Sequence, residues 1–179
     1  SWPVELWPQS IPDSIRKYAK GNLDFIGKFV MNHDENGEFD YNLSLSSSLD
    51  KMALSLPDPF YKLADSQLAL SVSVNGDAEN SVVSAYVGEN LNFYGELVHE
   101  DTHFQRAHLV LGQEQMFLPV SGFHISVQLP QVDFQPWFDL VQDISNVAGE
   151  IAGDEQSQSP ILDKPERIRG LIGQLTAYQ

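Results

Sequence analysis

The chain has 179 residues, 42% of them hydrophobic, with 25 acidic against 10 basic side chains and no cysteine. A packed core in one domain of ordinary size is therefore feasible, and the composition is not that of a disordered chain. The net charge of −15 argues against nucleic acid and against adsorption on anionic headgroups, and the lack of thiols removes disulfides, thiolate metal sites and Cys nucleophiles.

No apolar run approaches the roughly 18 residues of a membrane-spanning helix, and no basic-then-apolar leader opens the chain. Ser1-Trp2-Pro3-Val4 reads as a cut into a longer sequence, so the expectation is a single domain excised from a larger protein. Residues 1–20 are rich in Trp and Pro. Ser10 with Asp13 resembles a capping box, Pro12 suits a first turn and Gly21 suits an end, which predicts a short helix near 11–20.

After Gly21 the period changes to two. Leu23, Phe25, Phe29 and Met31 alternate with polar or small residues, Asp34-Glu35-Asn36-Gly37 is a turn signal, and Phe39, Tyr41, Leu43 and Leu45 alternate again. Met52, Leu54 and Leu56 follow, stopped by Pro57 and Pro59. Leu68, Leu70, Val72 and Val74 end at Asn75-Gly76, and Val83, Ala85 and Val87 precede Leu91, Phe93 and Leu97. Ala107, Leu109, Leu111 and Met116, Leu118, Val120 read as a hairpin across residues 112–115, and Phe123, Ile125, Val127 and Leu129 as the last clear strand. Asp133 and Pro136 then open an amphipathic helix near 134–148, with Trp137, Leu140, Val141, Ile144 and Ala148 on one stripe. Residues 149–160 read as a linker, and Ile168, Ile172 and Leu175 suggest a terminal strand.

The predicted fold is mainly β (α+β): a curved antiparallel β-meander of about nine strands over 21–148, with an apolar concave face and one good helix. About thirty apolar side chains at roughly 1.5–3 kcal/mol each cannot be left in water. The sheet closes on itself, a helix plugs it, or the face lines a groove filled by an apolar ligand.

The residues offer little for catalysis. His99 and His103 bracket Glu100 and Asp101 near His108, but the stretch reads as a solvated turn, as does His33, and no HExxH spacing occurs. Ser44, Ser46, Ser47, Ser48, Ser71 and Ser73 read as the outward side of strands, and no G-x-S-x-G elbow is present. Gly21, Gly27 and Gly37 suit bulges or turns and form no phosphate loop. Trp2, Trp7 and Trp137 suit core anchors better than sugar platforms. The expectation is a protein that is not an enzyme and uses no cofactor and no metal.

Three segments in order carry a resemblance: Gly21-Asn22-Leu23-Asp24-Phe25-Ile26-Gly27-Lys28-Phe29, then residues 49–60 with Leu56-Pro57-Asp58-Pro59-Phe60, then 107–112 through Gly122-Phe123-His124-Ile125 to 132–137. Over roughly residues 21–145 the chain resembles the large AsmA-like envelope proteins of Gram-negative bacteria, of the YhdP type. It departs at Lys51, where that family often has Gly. The resemblance implies a share in an elongated, groove-shaped sheet of a bridge-like lipid transfer protein. That protein would be periplasmic and anchored in the inner membrane by a helix outside this sequence. Its partners would be phospholipid acyl chains and neighbouring β-segments of the same parent chain, with membrane contact only through the parent. The candidate lipid-contacting residues are then Leu23, Phe25, Phe29, Met31, Phe39, Tyr41, Leu43, Leu45, Leu68, Leu70, Val72, Val74, Val83, Val87, Leu91, Phe93, Phe123, Ile125 and Val127. A structural or sugar-binding β-domain and a hydrolase are the competing readings.

Overall fold

The computed structural model describes residues 2–6, 16–112, 117–130, 132–133, 135–137, 139–140, 163, 165–172 and 175–176. The strands in chain order are β1 (Trp2–Pro3), β2 (Ala19–Leu23), β3 (Ile26–His33), β4 (Phe39–Ser47), β5 (Met52–Leu54), β6 (Leu70–Gly76), β7 (Asn80–Val87), β8 (Leu91–Val98), β9 (His103–Gly112), β10 (Gly122–Leu129), β11 (Val132–Asp133), β12 (Arg167–Ile172) and β13 (Leu175–Thr176). Eight of them form one sheet in the order β12-β10-β9-β8-β7-β6-β4-β3, beside a three-stranded sheet β1-β2-β5 and the pair β11-β13. The mainly β expectation holds, and the large sheet is mixed.

Short-range chemistry sets the hairpins. The Asp34 carboxylate accepts the N–H groups of Asn36 and Glu38, each at 2.9 Å, and Gly37 takes φ +90° to bring the chain back. The Asp77 carboxylate likewise accepts from Asn80 at 2.9 Å and Glu79 at 2.8 Å. Those two N–H bonds hold its carboxyl below the usual carboxylate range. From β3 through β9 every pairing in the large sheet is antiparallel, with one irregularity between Glu96 and Leu97.

Four expectations need correction. Ala19 and Lys20, expected at the end of a helix, begin β2 and pair with Leu54 and Ala53, while residues 7–15 lie outside the described residues. The expected hairpin over 107–120 is instead a crossover: β10 runs parallel to β9, Phe123 lying opposite Ala107, and residues 117–119 are not strand. Parallel neighbours cannot be joined by a tight turn, so the chain must cross a face of the sheet between them. β12 also joins β10 in parallel, with Ile168 opposite Ile125. Finally, Leu23 and Met52–Leu54 belong to the small sheet, outside the meander. Residues 135–137 and 139–140 are helical as expected, and the rest of the predicted helix lies outside the described residues.

Two apolar clusters pack at one end of the large sheet. Val4, Leu49 and Met52 gather Ala19, Leu23, Leu54, Leu68, Leu70 and Val87. Phe60, Leu111 and Leu129 gather Leu56, Leu91, Leu109, Val127 and Trp137. Trp137 meets Phe60 edge to face at 5.7 Å, and its indole N–H donates to the Asp58 carbonyl at 3.3 Å. It is a core anchor, as expected.

Lys62 fastens the small sheet. It is only 5% exposed, and its ammonium donates to the carbonyls of Met52 at 2.6 Å and Leu63 at 3.0 Å. Burial pushes its pKa below the ordinary lysine value, against the opposing pull of Asp50 and Asp65. The folded chain therefore releases this proton before the unfolded chain does, so stability rises with pH between the lowered value and the ordinary lysine value. Chemical denaturation across alkaline pH should show that rise, and Lys62→Met should remove it.

Gly112 marks where β9 meets β10. It has φ +102°, and an added Cβ would collide with the Gln128 carbonyl oxygen. Gly37 has φ +90° but nothing within 4 Å of an added Cβ. Gly37→Ala should therefore cost only backbone strain, about 1–2 kcal/mol. Gly112→Ala should cost more than that in urea unfolding, because the β9–β10 pairing must shift as well.

Candidate functional site

Cross-strand partners share a face, so the register assigns each side chain to one side of the large sheet. One face carries three apolar rows that cross the strands. The first runs Leu70, Val87, Leu91, Leu111 and Val127. The second runs Leu45, Val72, Ala85, Phe93, Leu109, Ile125 and Ile168. The third runs Phe29, Leu43, Val74, Val83, Gly95, Ala107 and Phe123. Beyond it lie Met31, Tyr41, Gly76, Ser81, Leu97 and Phe104, with Phe39 one step further along β4. The opposite face carries Ser44, Ser73, Ser84 and Tyr94 in one row and Ser46, Ser71, Tyr86 and Asn92 in the next.

The structure thus brings nearly all the candidate residues onto one face. Leu23, Phe25 and Leu68 stand apart. Leu23 and Leu68 pack into the cluster around Met52, and Phe25 lies in the two-residue link between β2 and β3. Ala85, Leu97, Phe104, Ala107, Leu109, Leu111, Leu129 and Ile168 share the face but are not among those candidates. The same period of two announces all of them except Phe104, which the irregularity between Glu96 and Leu97 brings onto this face. Ser44, Ser46, Ser71 and Ser73 point to the polar side as expected. Ser47 does not: it lies opposite Leu70, on the apolar side, and its hydroxyl accepts the Leu49 N–H at 3.0 Å.

Burial along this face is uneven. At the β9 and β10 end, Ala107, Leu111, Phe123 and Leu129 are buried. Along β4, β6, β7 and β8 the apolar side chains other than Phe39 are half-buried, and both edges are exposed, Phe29 and Met31 on β3 by 59% and 56% and Ile168 on β12 by 69%. Among the described residues, β3, β4, β6, β7 and β8 contribute no fully buried apolar side chain to this face. Phe93 and Phe104 meet edge to face at 5.4 Å above Gly95, where an added Cβ would sit 2.7 Å from the Phe104 ring.

A polar group closes the far end of the rows. Tyr41 reaches across Gly76 so that its hydroxyl bonds the Ser81 hydroxyl, and Ser81 bonds His99 Nε2 at 2.5 Å. His99 Nδ1 donates to the Ala78 carbonyl at 3.1 Å. His99 is half-buried and fixed by these bonds, which corrects its reading as a solvated turn residue. The sequence signal was available: Ser81 falls in phase with Val83, Ala85 and Val87. Phe29 and Phe39 flank the Tyr41 ring at 6.1 and 6.4 Å.

His108 also departs from expectation. It is fully buried on the polar face of β9, where Nδ1 donates to the Phe117 carbonyl at 2.8 Å and Nε2 accepts from the Ser126 hydroxyl at 2.9 Å. The crossover from β9 to β10 covers it, with the Phe117 ring 4.5 Å away. His103 pairs with Asp163 at 3.0 Å. The three histidines therefore have separate structural partners, and no group of three metal-ligating side chains occurs among the described residues. His108→Leu should cost about 1–3 kcal/mol in urea unfolding, because it strands the Ser126 hydroxyl and the Phe117 carbonyl away from water.

No helix among the described residues is long and apolar enough to cross a membrane. Comparison with curated proteins and with solved structures returns no match. The model of the family described as YhdP protein matches residues 2–179, and the chain accordingly belongs to the YhdP family.

Proposed function

We propose that this chain is a periplasmic segment of an intermembrane phospholipid-transport protein of the bridge-like type, supporting lipid homeostasis of the outer membrane in a Gram-negative bacterium. The carrying observation is the apolar face over β3 to β8, continuous in three rows yet without a fully buried apolar side chain among the described residues. A dry core would bury those side chains. An acyl chain laid along the rows would supply the missing cover, at about 0.8 kcal/mol for each CH₂ removed from water.

The mechanism is passive and not enzymatic. Acyl chains move along a groove lined by Leu, Val and Phe, which offers similar contacts at each step, while headgroups stay wet. No cofactor, metal or nucleic acid takes part. The parent is anchored in the inner membrane, and neighbouring β-segments of that parent extend the path. The exposed strand β3 suits such an extension, since among the described residues it is the edge of the sheet and pairs with β4 alone. Membership in the YhdP family is consistent with this reading.

Native mass spectrometry of the chain after incubation with phospholipid vesicles tests it. Bound lipid is expected, and Leu43→Asp and Val74→Asp should cut it at least about tenfold, since a carboxylate set among acyl chains costs well over 1.4 kcal/mol. Ser44→Asp and Ser73→Asp, one position along on the polar face, should leave it unchanged. A chain that retains no lipid returns the assignment to a structural β-domain.

A further inference from the structure

We infer that Tyr41, Ser81 and His99 form a headgroup rim that selects phospholipids bearing a primary ammonium over those whose head has no N–H donor. The inference rests on the lipid-carrying reading and concerns the polar end of the same face.

The argument is one of hydrogen-bond direction. The Ala78 carbonyl can only accept, so His99 Nδ1 carries a proton across their 3.1 Å contact. In the neutral ring Nε2 must then accept, and it accepts the Ser81 proton at 2.5 Å. Ser81, its own proton committed, accepts from the Tyr41 hydroxyl. Every proton in the relay is spent within it, and acceptor capacity is what remains on the Tyr41 oxygen. Ser81 is 2% exposed and out of reach, whereas Tyr41 and His99 are only half-buried. Beside them on the apolar face Phe29, Met31 and Phe39 are exposed. Tyr41 thus joins an apolar platform to a polar end, the position an amphiphile requires at its own boundary.

Charge points the same way. Asp77 directly precedes Ala78, whose carbonyl holds His99 Nδ1, and the N–H bonds from Asn80 and Glu79 favour its ionised form. The chain as a whole carries −15. An ammonium head supplies three donors and a positive charge to this rim. A quaternary ammonium head carries the same charge with no donor, and a phosphate offers acceptors where acceptors already stand.

The test uses the purified chain at about pH 8. It is incubated with vesicles holding equal amounts of ethanolamine and choline phospholipids of identical acyl chains, and retained lipids are counted by native mass spectrometry. The ethanolamine lipid should be enriched about threefold to tenfold, the ratio one hydrogen bond supplies. Tyr41→Phe should bring the ratio to one, and Asp77→Asn, an exposed position, should lower it. Equal retention of the two lipids by the unaltered chain overturns the rim while lipid carriage stands. A preference undiminished in both variants also overturns it. Absence of any retained lipid overturns the rim together with the lipid-carrying reading.

Discussion

Cross-strand register is the constraint on which the rest of this structure depends. Side chains alternate with a period of two, so a slip of one residue at any pairing would send that strand's apolar set to the polar side. No such slip occurs from Phe29 opposite Leu43 to Ile125 opposite Ile168. The irregularity between Glu96 and Leu97 preserves the phase, because the extra residue sets Leu97 opposite Phe104. A single apolar face spanning eight strands is the consequence, and covering it is the energetic problem the remaining elements address.

Among the described residues they address it at one end only. The small sheet, Leu49 and Met52 cover the ends of β6 and β7 around Leu70 and Val87. Phe60 and Trp137 cover the ends of β8, β9 and β10 around Leu91, Leu111 and Leu129. At the other end the rows finish in the Tyr41, Ser81 and His99 relay, which also ties the turn at Ala78 to the end of β8. Between these limits the face stays half-buried among the described residues and becomes exposed at the β3 and β12 edges.

The two parallel additions change what the opposite face can do. Pairing β9 with β10 in parallel leaves Phe117 over the polar side, where His108, Val110 and Ser126 are buried. On the apolar side Trp137 reaches Phe60 beside Leu111 and Leu129. The β9 and β10 end therefore has cover on both faces, and it holds the fully buried residues Ala107 and Val110.

The sequence by itself determined which side chains face together. The alternation in Phe39, Tyr41, Leu43 and Leu45, the turn at Asp34 to Gly37, and the outward Ser44, Ser46, Ser71 and Ser73 were legible because strand geometry and turn chemistry are local. Order and direction were not local. Nothing in 107–129 distinguishes a hairpin from a short parallel crossover, since both need an apolar run, a break and another apolar run. Leu23 and Met52 alternate like the meander strands yet serve a separate sheet, because packing on Val4 and Leu49 decides their place. The polar relay as a whole was not local either: His99 meets Tyr41 and Ser81 only once four strands, β4, β6, β7 and β8, have paired. Tertiary structure alone decided which part of the apolar face is covered, because cover depends on where distant segments can pack.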